Sequence, residues 1–169
     1  ETADQFNQPG VFSAMTGFEW TSMPGGNNIH RVVVFADGAD KTGQVVPFSL
    51  LDSEDPQDLW KYMEGYEAKT DGRVLAHVHN GNLSNGTAFG VTEFNGEPMD
   101  AAYATQRARW EPIAEITQIK GDGETHPKLS PEDEFADFER WDKGNLDGSA
   151  PKEDWMFKFE YGRSALETG

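Results

Sequence analysis

The sequence contains no cysteine, which excludes disulfides and thiolate metal sites and leaves the redox compartment open. Positive charge is scarce. Fourteen Lys and Arg stand against 30 Asp and Glu, a formal net charge of −16. A chain this acidic repels a phosphate backbone and an anionic bilayer, so general nucleic-acid binding is not expected. Long apolar runs are also missing. Val32-Val33-Val34-Phe35-Ala36 is strand-sized, far short of a membrane span. There is no G-x-S-x-G, which speaks against a Ser–His–Asp hydrolase. No Walker-type phosphate loop occurs, and no G-x-G-x-x-G follows a strand. No repeat or low-complexity tract is present. The first residue is glutamate, not methionine, so a mature form or a fragment is expected, and the compartment is left open.

What remains is a chain of 169 residues, enough for one domain with a sizeable core. The hydrophobic share is low, 36%, yet 11 Phe and 5 Trp argue against disorder. Residues 31–36, 73–78 and 113–119 have strand character, and a further strand ends the apolar stretch 11–21. Residues 52–70 predict a helix, with Ser53 or Asp55 as cap, Pro56 at the first position, and Leu59, Trp60, Met63 and Tyr66 as the buried stripe. Helices are also expected over 100–109, 130–141 and 155–168, the last weakened by Gly162. Strands alternating with helices predict an α/β domain with a largely parallel sheet or part of a barrel.

The stretch 74–89, VLAHVHNGNLSNGTAF, organises the chemistry. Alternation along a strand sets Leu75, His77 and His79 on one face. His79 stands where the strand gives way to a Gly/Asn/Ser loop, the end at which ligands collect in α/β folds. Only four histidines exist: His30, His77, His79 and His126. Glu19 ends another strand. Imidazole nitrogens with carboxylate oxygens suit Zn, Mn or Fe.

Several motifs make a more specific resemblance. They are Gly17-Phe18-Glu19-Trp20-Thr21-Ser22, Asn28-Ile29-His30-Arg31, His79 through Gly86, Gln118-Ile119-Lys120-Gly121, Glu124-Thr125-His126-Pro127, Asp133-Glu134-Phe135-Ala136 and Arg163-Ser164-Ala165-Leu166. In this order they resemble the family called domain of unknown function 3604, across nearly the whole chain. That family is similar to the polymerase-and-histidinol-phosphatase (PHP) superfamily of metal-dependent phosphoesterases. The resemblance implies a distorted (β/α)7 barrel with a multi-metal cluster at the carboxyl ends of its strands, and a small-molecule phosphoester as substrate. It implies Glu19 as bridging glutamate and His30 and His79 as ligands of a divalent transition metal.

The resemblance also implies a His-x-His strand upstream and an Asp-x-His downstream, neither of which lies in these residues. The expectation is therefore an incomplete barrel lacking N- and C-terminal strands, whose unpaired sheet edges invite self-association. An apolar residue and a proline are implied before the histidine, where this chain has His77-Val78. His77 is either a substitute ligand or a barrel-interior histidine. Glu124 and His126 are further candidate ligands, or parts of a capped surface loop. Asn80, Asn82 and Asn85 would orient ligands or substrate hydroxyls, or serve as turn residues. Arg31 and Lys120 would neutralise a phosphate, and an ion pair with Arg31 is the alternative for Glu19. Two functions stand side by side: a metal-dependent phosphoester hydrolase, and a non-catalytic binding or structural module.

Overall fold

The fold is described by a computed structural model covering residues 2–168. Its helices are α1 (Thr2–Phe6), α2 (Ala39–Thr42), α3 (Pro56–Thr70), α4 (Ala101–Trp110) and α5 (Gly162–Thr168). Its strands are β1 (Thr16–Trp20), β2 (Arg31–Phe35), β3 (Val74–Val78), β4 (Ile113–Ala114), β5 (Thr117–Gln118) and β6 (Gly121–Asp122).

Helix α3 starts where its capping chemistry dictates. The Asp55 carboxylate accepts from the Gln57 N–H at 2.9 Å, and Pro56 occupies a position whose missing N–H costs nothing. It ends at Asp71, in the left-handed region with φ 51°, whose N–H donates to the Glu67 carbonyl. The predicted stripe is the buried one. Leu59, Trp60, Met63 and Tyr66 pack on Trp20, Val33, Phe35, Val74 and Ala76. Each such side chain contributes about 1.5–3 kcal/mol by leaving water.

Strands β1 to β4 form one sheet in the order β1-β2-β3-β4, and β5 and β6 form a separate two-stranded ladder. In the large sheet Trp20 faces Arg31, which faces Val78; one step on, Glu19 faces Val32, which faces His77. Because side chains alternate, Phe18, Trp20, Arg31, Val33, Phe35, Val74, Ala76 and Val78 all point toward the α3 side. Glu19, Val32, Val34, Leu75 and His77 point the other way, and none of these is fully buried. The same parity carries His30 and His79 onto this second face.

The sheet is not the largely parallel one expected. The pairs β1/β2 and β2/β3 are antiparallel, and only β3/β4 is parallel. The loop between β1 and β2 is too short for a crossover helix. Between β2 and β3 the helix is not the only return pass. After α2, an irregular segment runs back along the sheet and reaches Trp20, whose indole donates to the Ser53 carbonyl. Helix α3 then retraces that path to the far end, where Tyr66 donates to Asp37. Two passes cancel, so β3 returns antiparallel to β2. The sheet is open, with β1 and β4 at its edges, and no closed barrel is formed among the described residues.

Three other expectations change. The strand over 113–119 breaks into β4 and β5, because Glu115 turns its amide to the Val78 carbonyl and its carboxylate to the Asn80 N–H. No helix forms over 130–141. Asp133 accepts from the Phe135 N–H and from Arg163, and Phe135 and Phe138 stay exposed, so no apolar stripe is available to hold a helix. The last helix splits at the weak glycine into a 3-10 turn, Asp154–Phe159, and α5. Among the described residues no helix is long and apolar enough to cross a membrane.

Leu59→Ala is expected to lower unfolding free energy by about 2–5 kcal/mol, whereas Ile119→Ala, at a side chain 94% exposed, stays within about 0.5 kcal/mol. Urea denaturation of both variants checks this.

Candidate metal centre

His30 and His79 are placed by different devices. The His30 amide donates to Oδ1 of the fully buried Asn28 at 2.9 Å, which fixes the chain just before β2. His79 directly follows β3 and leads into a buried loop, residues 80–86. Asn80 (φ 55°), Asn85 (φ 47°) and Gly86 (φ 81°) adopt the left-handed turn geometry that Asn and Gly tolerate. The C-terminal part of the chain holds this loop. Lys152 Nζ donates to the Asn82 carbonyl at 2.9 Å and to Glu160 Oε1 at 2.5 Å, and the Gly86 amide donates to the same Glu160 oxygen. Lys152 and Glu160 are both buried, and burial pushes the ammonium down and the carboxyl up from their ordinary values.

The three residues converge. His30 Nδ1 and His79 Nε2 each stand 3.0 Å from the same oxygen, Oε1 of Glu19. One ligand atom from each residue lies within 4.8 Å of the other two. Two ligands of a tetrahedral zinc, each at about 2.0–2.1 Å, stand roughly 3.3 Å apart, so little movement separates this geometry from a coordinating one. The imidazoles are mostly enclosed while the Glu19 side chain is 46% exposed, so the centre opens to solvent on the carboxylate side. Burial pulls both histidines below their ordinary value, against the raising influence of Glu19. Both are therefore neutral imidazoles at neutral pH, the form that ligates metal. His79 Nδ1 is buried without a hydrogen-bond partner.

The other candidates disperse. His77 shares the face, its ring 6.3 Å from that of His79, but lies outside the cluster. Glu124 is bound by Arg163 at 2.7 Å. His126 is buried against Phe157 and Tyr161 and pairs with Asp142 at 2.9 Å. Arg31 points to the opposite face, where its Nε reaches Glu111 at 2.9 Å; it neither pairs with Glu19 nor faces the centre. Lys120 does lie close enough for its charge to help lower His30. Asn82 donates to the Lys120 carbonyl and Asn85 to the carbonyls of Ala150 and Pro151, so both brace the loop. Sequence reasoning missed Glu115, which receives the Asn80 amide at 2.9 Å and whose charge reaches His79. Its signal was a carboxylate among the isoleucines of the strand pattern over 113–119.

A family model described as "Protein of unknown function (DUF3604)" matches residues 1–169. The chain belongs to the DUF3604 family. Searches against curated proteins and against solved structures found no match. Within this DUF3604 chain, Glu19, His30 and His79 form the only His/Asp/Glu cluster of metal-binding geometry among the described residues.

His126 supplies a test independent of metal. Burial lowers it from the ordinary 6.5. The unfolded chain takes up a proton as pH falls through 6.5 while the folded chain resists, so this group's share of stability is lost between 6.5 and its lower folded value. The stability measured by denaturant should fall from about pH 7.5 to about pH 5.5, less steeply in His126→Asn.

Proposed function

We propose that this DUF3604 domain binds one divalent transition-metal ion through Glu19, His30 and His79, and that the centre serves hydrolysis of a small phosphoester. The observation that carries the metal reading is the pair of imidazole nitrogens 3.0 Å from one carboxylate oxygen. A nitrogen–nitrogen–oxygen set without sulfur suits zinc, iron or manganese. A cation held there would supply Lewis acidity, polarising a phosphoryl oxygen and making water more acidic. The protein's own contribution is positional. Asn28 fixes the backbone at His30, the braced residue 80–86 loop fixes the chain after His79, and the exposed side of Glu19 leaves an approach for substrate. Lys120, beside His30, offers a charge for a phosphate oxygen. The phosphoester assignment draws on the resemblance of the Glu19, His30 and His79 motifs to the PHP pattern.

A non-catalytic module holding one cation is the second reading. It is favoured by the size of the cluster: His77, Glu124 and His126 lie outside it, leaving three ligands where two-metal catalysis needs more.

Metal analysis of the purified protein, followed by titration of the stripped protein with Zn(II) or Mn(II), tests the site. One equivalent is expected, with at least a tenfold loss of affinity in His30→Ala and His79→Ala, on the order of removing one ligand's neighbourhood. His126→Ala should retain it. Affinity should decline as pH drops through about 6.5 and below, where the imidazoles gain protons. Metal retained unchanged to about pH 5, or retained by His79→Ala, overturns the reading.

Metal-dependent turnover of a generic phosphomonoester or phosphodiester then separates the two functions. Stoichiometric metal without turnover favours the module.

A further inference from the structure

A second site is built away from the metal residues. Helices α4 and α5, together with residues 89–91, 111–114 and Ile116, line a cavity of about 590 Å³. This lies within the range of small-molecule sites, roughly 300–1,000 Å³. None of Glu19, His30 or His79 lines it. Its walls are mostly apolar and include Val78, Val91, Met99, Ile113, Ile116 and Leu166.

One charged group stands out among the lining. Arg107 donates from Nη2 to the Ala88 carbonyl at 2.5 Å, and its Nε is 3.6 Å from Glu111. Its guanidinium also lies over the Phe89 ring, 5.7 Å from the centroid. Its Nη1 has no protein acceptor among the described residues. The Glu111 carboxylate, which also lines the cavity, is already engaged. It receives Arg31 Nε at 2.9 Å and the Trp60 indole at 3.0 Å. Two arginines thus share one buried carboxylate, and this end of the cavity carries an excess positive charge inside a protein of net charge −16. The other charged lining residues, Arg163 and Glu124, pair with each other, and Arg163 also binds Asp133. That group is partly exposed and holds two carboxylates against one guanidinium, so the excess positive charge is confined to the Arg107 end.

Apolar walls with one underused guanidinium are the complement of an amphipathic anion. We propose that this cavity binds a small molecule made of an acyl or aryl chain ending in a carboxylate, with the carboxylate on Arg107 and the chain along α4 and α5. A guanidinium fits a carboxylate with parallel N–H groups, and a dry wall strengthens that contact. The proposal is independent of the metal centre.

Isothermal titration with octanoate, 1-octanol and octylamine tests it. Octanoate should bind saturably at one site. 1-Octanol should bind about tenfold more weakly or worse, the order of one lost charge-assisted hydrogen bond, and octylamine no better than the alcohol. Arg107→Gln should bring octanoate down to the level of the alcohol.

Arg107 touches a buried ion pair, so that variant is paired with Ala108→Trp. Ala108 lines the cavity from an exposed position on α4, and the indole should fill the space and weaken octanoate at least tenfold. Absence of octanoate binding, equal binding of octanoate and 1-octanol, or an unchanged octanoate affinity in Ala108→Trp overturns the proposal. So does a folded Arg107→Gln that keeps its preference for octanoate.

Discussion

The strict alternation of side chains at the start of β2 governs this molecule. Ile29 and Arg31 point into the packed side, and His30 between them points out. Arg31 is anchored to Glu111 and, through Nη1, to the Ile29 carbonyl. Glu111 in turn takes the indole of Trp60 from α3. The inward arginine therefore ties the sheet to α3 and to the end of α4 in one buried network. Breaking it from the carboxylate side would strand two guanidinium groups out of water, an arrangement that costs several kcal/mol. With Arg31 fixed inward, His30 has only one face left to occupy. The register of β1 and β3 supplies Glu19 and His79 to that face.

The same arrangement explains how little the candidate centre depends on the α3 core for its chemistry. The covered face of the sheet is apolar apart from Arg31 and the end residue Thr16, and the opposite face carries the titratable residues. The packed core and the candidate centre are divided by the sheet itself. The imidazoles are enclosed and the carboxylate is exposed: the rings sit just outside the ends of β2 and β3, whereas Glu19 lies within edge strand β1.

Local signals in the sequence were read well where they were self-contained. The start of α3 at Pro56 with Asp55 as one of two candidate caps, its buried stripe, the helix over 100–109 and the weakness at Gly162 all depend on neighbours within a few residues. Glu19, His30 and His79 were legible through motif resemblance, and strand parity was legible for β3 alone. Strand direction was not. It depends on the irregular segment before α3 running the length of the sheet, and no short pattern encodes that pass. The fate of Arg31 was hidden for the same reason, since Glu111 is 80 residues away. The segment after Ser130 had caps and acidic first-turn residues suited to a helix. Only the structure reveals that Arg163 captures Asp133 and leaves the aromatic residues outside.

The pinning of the loop after β3 also bears on when the centre becomes rigid. Its anchors, Lys152 and Glu160, lie 70 and 74 residues further along the chain than the groups they bind. Contacts of such separation form late, because the intervening chain must be closed before they return any energy. On a ribosome, His79 and its loop emerge well before these anchors are made. The candidate imidazole pair would then exist first as a loosely held pair and only later as a rigid one. A metal ion present during synthesis would meet a centre still able to adjust its bond angles, and the arrival of the C-terminal segment would set that geometry.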